Sequence, residues 1–178
     1  MVRTKVPVIL GNTFEILGTL FAFYLIFTAP TVPGTLLRFF IYLVSWGFLV
    51  FFPHGIAHYF VGRVVGVRFS YYFMGKSSAT KLKLPVLGTF LSWFPVPTLR
   101  IERASFRSVS HRGRTAMFAS GAIASMVMPF FAAAGSIGQL PTWLTAVLFL
   151  ISVVNLVFDL YYSPRVGDLH RAKYGTTP

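Results

Sequence analysis

Two histidines in the segment FFPHGIAHYF are the residues of this sequence best suited to chemistry. His54 and His58 are four positions apart, so on a helix their side chains lie one above the other on the same face. Two imidazoles in that arrangement can bind one metal ion, as they do in HExxH zinc sites. The alternative is a structural pair that hydrogen-bonds inside a bundle, although histidines within an apolar helix are costly without a function.

A catalytic zinc site needs a third protein ligand and an open position for water. The chain has only four acids, Glu15, Glu102, Asp159 and Asp168. Asp168 follows a stretch containing Pro and Gly that can fold back toward the histidines, and Asp159 lies shortly before it. The other interpretations are a helix N-cap for Asp168 and an arginine partner for Asp159. His170 is a further ligand candidate, although a surface position is its simpler interpretation.

The composition predicts a membrane protein. Of the 178 residues, 55% are hydrophobic and 11% are charged, whereas a soluble domain carries about 25% charged residues. The composition therefore favours a membrane protein over a water-soluble domain with a large core. The absence of cysteine excludes disulfides and thiolate metal sites.

Four stretches are long enough to cross about 30 Å of hydrocarbon. They run from about 7–27, 36–61, 115–134 and 141–161. The first is longer than the apolar region of a signal peptide and has no evident cleavage site, which favours a retained helix. The predicted fold is a single membrane domain over 1–178, an all-α bundle of four transmembrane helices.

The basic residues predict the orientation of this bundle. Ten of the sixteen Lys and Arg residues lie in the loop 62–114 between the second and third spans, and the others, except Arg38, flank the two ends of the chain. The positive-inside rule then assigns both termini and this loop to the cytoplasmic side of the cell membrane. The bilayer accounts for the net charge of +12, so we predict no nucleic-acid partner.

The basic loop has the pattern of a small β-sheet. The segments VRFSYYF, TKLKLPV and TLRIE are rich in β-branched and aromatic residues or alternate polar with apolar positions. Aromatic and basic side chains in such a sheet favour a position at the membrane surface, near lipid headgroups.

The order of these motifs resembles the site-2 proteases, intramembrane zinc metalloproteases that cleave membrane-embedded segments. HGIAH corresponds to the HExxH motif of that family. SGAIAS, from Ser120 to Ser125, is similar to its small-residue segment, with Ala122 at the usual proline. NLVFDLYYSPRVGD, which begins at Asn155, ends on Asp168 at the place of the third ligand. The resemblance implies one zinc ion bound by His54, His58 and Asp168.

One departure from the family concerns catalysis directly. The family's general base follows the first histidine, and this chain has Gly55 there; such a base contributes about 10²- to 10⁴-fold in rate. We therefore expect a metal-binding relative, proteolytically inactive or weakened, that binds a membrane partner, for example by adding a partner strand to its sheet. One alternative is an active protease whose base is Glu15 or Asp159. Another is a structural subunit of a larger membrane complex that binds no metal.

Overall fold

The computed structural model describes residues 5–76 and 95–174, and this part of the chain is mostly helical. Four long helices form the bundle, and a three-stranded sheet, three short α-helices and a short 3-10 helix (Ala29–Thr31) complete the described fold. In chain order the elements are β1 (Lys5–Val6), α1 (Val8–Thr28), α2 (Thr35–Val64), β2 (Phe69–Lys76), β3 (Pro95–Ile101), α3 (Arg103–Ser108), α4 (His111–Val127), α5 (Pro129–Gly135), α6 (Thr142–Val166) and α7 (Asp168–Tyr174).

Four helical segments are long and apolar enough to cross a membrane, as the sequence predicted. They are Val8–Thr31, Thr35–Val64, His111–Gly135 and Thr142–Tyr174. Half of the most apolar part of the third segment is buried, against 22%, 17% and 17% in the first, second and fourth. The third segment is thus the central one, and the outer helices direct large apolar side chains outward.

The third segment differs from the continuous span that the sequence predicted over 115–134. It begins earlier, at His111, because the Ser110 hydroxyl caps its first turn by accepting a hydrogen bond from the Gly113 backbone nitrogen. It is also divided at Met128, where α4 ends and Pro129 begins α5. A proline has no N–H for the helical ladder and is tolerated at a first helical position.

Three antiparallel strands form the sheet, in the order β1-β2-β3. Strands β2 and β3 overlap the predicted strands VRFSYYF and TLRIE, whereas TKLKLPV lies outside the described residues. The two-residue strand β1 and the short helix α3 were not predicted from the sequence. Because β1 leads directly into α1, its pairing with β2 fixes the start of the first helix beside the sheet.

The two short turns lie at the opposite end of the bundle from the sheet. Arg38, near the start of α2, donates hydrogen bonds to the carbonyls of Gln139 at 2.8 Å and Val32 at 3.0 Å. One side chain thereby joins the turn between α1 and α2 to the turn between α5 and α6. The other described Lys and Arg residues lie toward the sheet end, in or next to the strands, in the short helices or at the ends of the long helices there.

Two separate apolar clusters form the core. The one at the turn end includes Leu49 and Tyr42, and the one at the sheet end includes Met117 and Phe118. His54 and His58 lie on α2 between these clusters, roughly 9 to 15 Å from the sheet end of the helix at 1.5 Å per residue.

Candidate metal centre

Three side chains converge between the two core clusters. The Nε2 atoms of His54 and His58 are 3.1 Å apart, and they lie 3.0 and 3.2 Å from Asp168 Oδ2. In tetrahedral zinc sites, metal–ligand distances of about 2.0–2.1 Å place neighbouring ligand atoms about 3.3 Å from one another. The three residues predicted as zinc ligands are therefore brought together at separations that fit one metal ion.

The hydrogen bonds of the other imidazole nitrogens define which tautomers are present. His54 Nδ1 lies 2.9 Å from the Ser125 hydroxyl, which donates its own proton to the Val50 carbonyl at 3.0 Å. While its proton is directed at Val50, the Ser125 oxygen can accept a hydrogen bond from His54 Nδ1. His58 Nδ1 lies 2.7 Å from the Met117 carbonyl, which can only accept. The Met117 contact places the His58 proton on Nδ1, and with His54 donating to Ser125 both rings carry their proton on that atom.

This protonation leaves a lone pair on each Nε2 atom. Two lone pairs and a carboxylate oxygen then face one another at about 3 Å, with no hydrogen between them in the neutral rings. Such a group of acceptors needs a cation at its centre, either a metal ion or additional protons. Second-shell hydrogen bonds of this kind orient histidine ligands in metal sites.

The small-residue segment on α4 holds both rings. A Cβ atom on Gly121 would lie 2.7 Å from His58 Cδ2, so only glycine leaves room for this imidazole. The Ser125 carbonyl also accepts a hydrogen bond from Asn155 Nδ2 on α6 at 3.0 Å. The sequence shows only that this segment is similar to the small-residue segment of the site-2 proteases, whereas in the structure it contacts both candidate histidine ligands.

Asp168 reaches the histidines because the chain turns sharply at the end of α6. This helix ends at Val166, Gly167 makes the turn, and the Leu169 N–H donates to the Ser163 hydroxyl at 3.1 Å. The carboxylate is occupied on both sides, since Oδ2 faces the histidines and Oδ1 accepts a hydrogen bond from Arg171 at 3.3 Å. Asp168 is the first residue of α7, close to the predicted N-cap position. Its carboxylate oxygens nevertheless contact His54, His58 and Arg171.

The exposed fractions of the three side chains are unequal. His54 is 38% exposed, against 14% for His58 and 15% for Asp168, so the open side of the centre lies next to His54. An apolar groove of about 500 Å³ lies between α1, α2 and α4, with Pro53, Ile56 and Ala57 among its lining residues; the three candidate ligands do not line it. Three protein ligands with one open side are typical of a catalytic rather than a purely structural zinc site.

The remaining candidate residues lie at different distances from this centre. Asp159 and His170 are outside the group of converging ligand atoms. Glu15 is close to it, because its carboxylate packs against Gly55 on α2. The Tyr72 hydroxyl lies 3.1 Å from Glu15 Oε2. Burial raises the pKa of the Tyr72 phenol, and the Glu15 charge and hydrogen bond raise it further, so this phenol retains its proton.

Comparisons with protein-family models, characterised proteins and solved structures found no match to this chain. The chemistry of the site therefore depends on the atoms that the structure brings together. They define a candidate three-ligand centre with imidazole and carboxylate donors and one open side.

Proposed function

We propose that this chain is a multi-pass protein of the cytoplasmic membrane that binds one zinc ion through His54, His58 and Asp168. It binds an extended segment of a membrane protein beside that ion, as the resemblance to the site-2 proteases implies. Both termini and the basic sheet end lie in the cytoplasm, following the positive-inside rule. The proposal needs no nucleic acid and no further subunit.

The observation that carries the metal proposal is the set of three acceptor atoms about 3 Å apart, with both imidazole protons already used elsewhere. Zinc is favoured over magnesium or calcium because imidazole is the main ligand type. When bound, zinc would polarise a carbonyl oxygen and lower the pKa of water. The protein's own contribution is to orient the two rings and the carboxylate and to keep one side open.

The apolar groove supports a membrane segment as the partner. Its walls are almost entirely nonpolar, and it follows the same stretch of α2 that carries the two histidines. An unfolded stretch of peptide in lipid has to satisfy its backbone groups with protein. A segment bound in the groove would lie along the helix that carries both histidines.

The test is the zinc content of protein purified in mild detergent, measured by mass spectrometry. We expect about one zinc per wild-type chain, as for a site with three protein ligands, and a background level in His54→Ala and His58→Ala. His170→Ala is the matched control, because it removes an imidazole from the same end of the molecule but outside the converging group. It should retain the wild-type zinc content.

Two results would contradict the proposal. Wild-type protein that stays metal-free after dialysis against zinc would make the histidines a structural pair and favour the subunit alternative. Zinc lost equally from the control and from the two ligand variants would indicate adventitious binding at surface histidines.

A further inference from the structure

The proposed zinc site lacks a proton acceptor at the position where HExxH sites have one. In those sites the Glu after the first histidine directs its carboxylate toward the water beside the metal. Gly55 occupies that position here and has no side chain. Peptide hydrolysis therefore requires a carboxylate from elsewhere in the chain.

The Glu15 side chain occupies the space that a residue at position 55 would fill. A Cβ atom built on Gly55 would lie 2.7 Å from Glu15 Cδ and would contact both carboxylate oxygens. Glu15 belongs to α1 and Gly55 to α2, so the carboxylate reaches α2 from the neighbouring helix. Glycine at position 55 is what allows this approach, one residue beyond His54.

The two oxygens of this carboxylate have different surroundings, because Oε2 lies 3.1 Å from the Tyr72 hydroxyl. Tyr72 lies on β2 and is itself 3% exposed, and its hydroxyl contacts Glu15 Oε2 and, at 2.8 Å, Asn12 Oδ1. Within the described residues no hydrogen bond is made to Glu15 Oε1. Glu15 is also only 3% exposed, so its position is set by protein contacts and not by solvent.

We propose that Glu15 is the general base of a hydrolytic site, in place of the carboxylate missing at position 55. This inference rests on the proposed zinc site. Glu15 takes a proton from the attacking water, whose oxygen bonds to the carbonyl carbon of the peptide. As the C–N bond breaks, the proton passes from Glu15 to the leaving nitrogen. One peptide bond and one water thus give a carboxylic acid and an amine.

Three variants test the assignment. Glu15→Gln keeps the shape and the hydrogen-bonding capacity of the side chain but removes its basicity. Glu15→Ala/Gly55→Glu moves the carboxylate to the HExxH position and vacates the space it needs. Asp159→Asn neutralises the other candidate base, which is outside the converging group, and so tests the rival assignment.

Two probes are used on zinc-reconstituted protein in liposomes. The first is a dye-labelled peptide of about 20 apolar residues with a central Asn-Gly pair, and the readout is its cleavage. The second is acetohydroxamic acid, which binds metal sites as an anion after giving its proton to a neighbouring base. Its dissociation constant reports on that base without any turnover.

We expect Glu15→Gln to retain wild-type zinc and to bind acetohydroxamate about tenfold or more weakly, because a charge-assisted hydrogen bond is lost. Its peptide cleavage should fall about 10²- to 10⁴-fold. The double variant should recover hydroxamate affinity and cleavage to within about tenfold of wild type. Asp159→Asn should behave like wild type in both measurements.

The two proposals fail in different ways. Wild-type protein without zinc overturns the metal site and this inference together. Wild-type and Glu15→Gln proteins that both hold zinc and bind acetohydroxamate equally overturn only the role of Glu15, whether or not the peptide is cleaved. Loss of cleavage in Asp159→Asn alone would assign the base to Asp159 instead.

Discussion

At the scale of single residues, Ser125 determines how His54 is presented. Its hydroxyl donates a hydrogen bond to the Val50 carbonyl, and its oxygen can then accept one from His54 Nδ1. This chain of hydrogen bonds directs the Nε2 lone pair toward Asp168. The sequence located Ser125 in a small-residue segment but contained no sign of the hydrogen bond, since α2 and α4 are brought together only by tertiary packing.

Replacing this serine should weaken zinc binding. We expect Ser125→Ala to lower zinc affinity about 10- to 100-fold, the usual effect of losing a second-shell partner. Competition with a zinc chelator of known affinity measures the change. Ser152→Ala is the control: Ser152 is equally a buried serine that links two helices, through Trp46 Nε1 at 3.0 Å, but it is remote from the ligands. Equal losses in the two variants would mean that the effect is general destabilisation.

At the scale of elements, the site combines one local motif with one distant turn. His54 and His58 could be paired from the sequence because both lie within a single helix, where the i, i+4 spacing fixes their geometry. Asp168 is 110 positions from His58; the Pro- and Gly-containing stretch before it made it a candidate beside Asp159, and the resemblance to a known family favoured it. The Glu15–Gly55 contact could not be predicted from the sequence, because the positions of two spans along the chain do not specify which of their faces meet.

The turn between α6 and α7 offers a direct test of this distant contribution. A methyl group on Gly167 would lie 2.8 Å from Ser163 Cα and 3.0 Å from Tyr162 Cε1. Gly167→Ala should therefore shift the start of α7, displace Asp168 and lower zinc affinity by about tenfold or more, comparable to losing second-shell support.

The matched control for this variant is Gly47→Ala. Gly47 lies in the long helix α2, and nothing is within 4 Å of a Cβ added there, so zinc affinity should be unchanged. Isothermal titration with zinc compares the two proteins. An unaltered affinity in Gly167→Ala would show that the carboxylate position tolerates movement of this turn.

At the scale of the whole molecule, the length and spacing of the apolar stretches were sufficient to predict four long apolar helices. Their ends were less predictable, because Ser110 and Pro129 act through capping and the loss of one backbone donor, which hydropathy does not register. The strand β1 was missed for a related reason. It has two residues and exists only through its pairing with β2.

The orientation of the molecule can be measured with single cysteines, because the chain has none of its own. Thr31→Cys marks the turn end of the bundle and Ser108→Cys the sheet end, and both positions are exposed. A membrane-impermeant maleimide should label the first in intact cells and the second only after permeabilisation, since basic segments remain in the cytoplasm. The opposite pattern would reverse the proposed orientation, and labelling of both in intact cells would contradict membrane insertion.

The contact between Glu15 and Gly55 also predicts how these two positions vary among related sequences. Two carboxylates cannot share this space, so glutamates at positions 15 and 55 should exclude one another among related chains, and the two positions should covary. If the present arrangement arose from one with glutamate at 55, that side chain had to be lost before a carboxylate could occupy the same space from α1. Any such path passes through a chain with neither carboxylate beside the proposed zinc site.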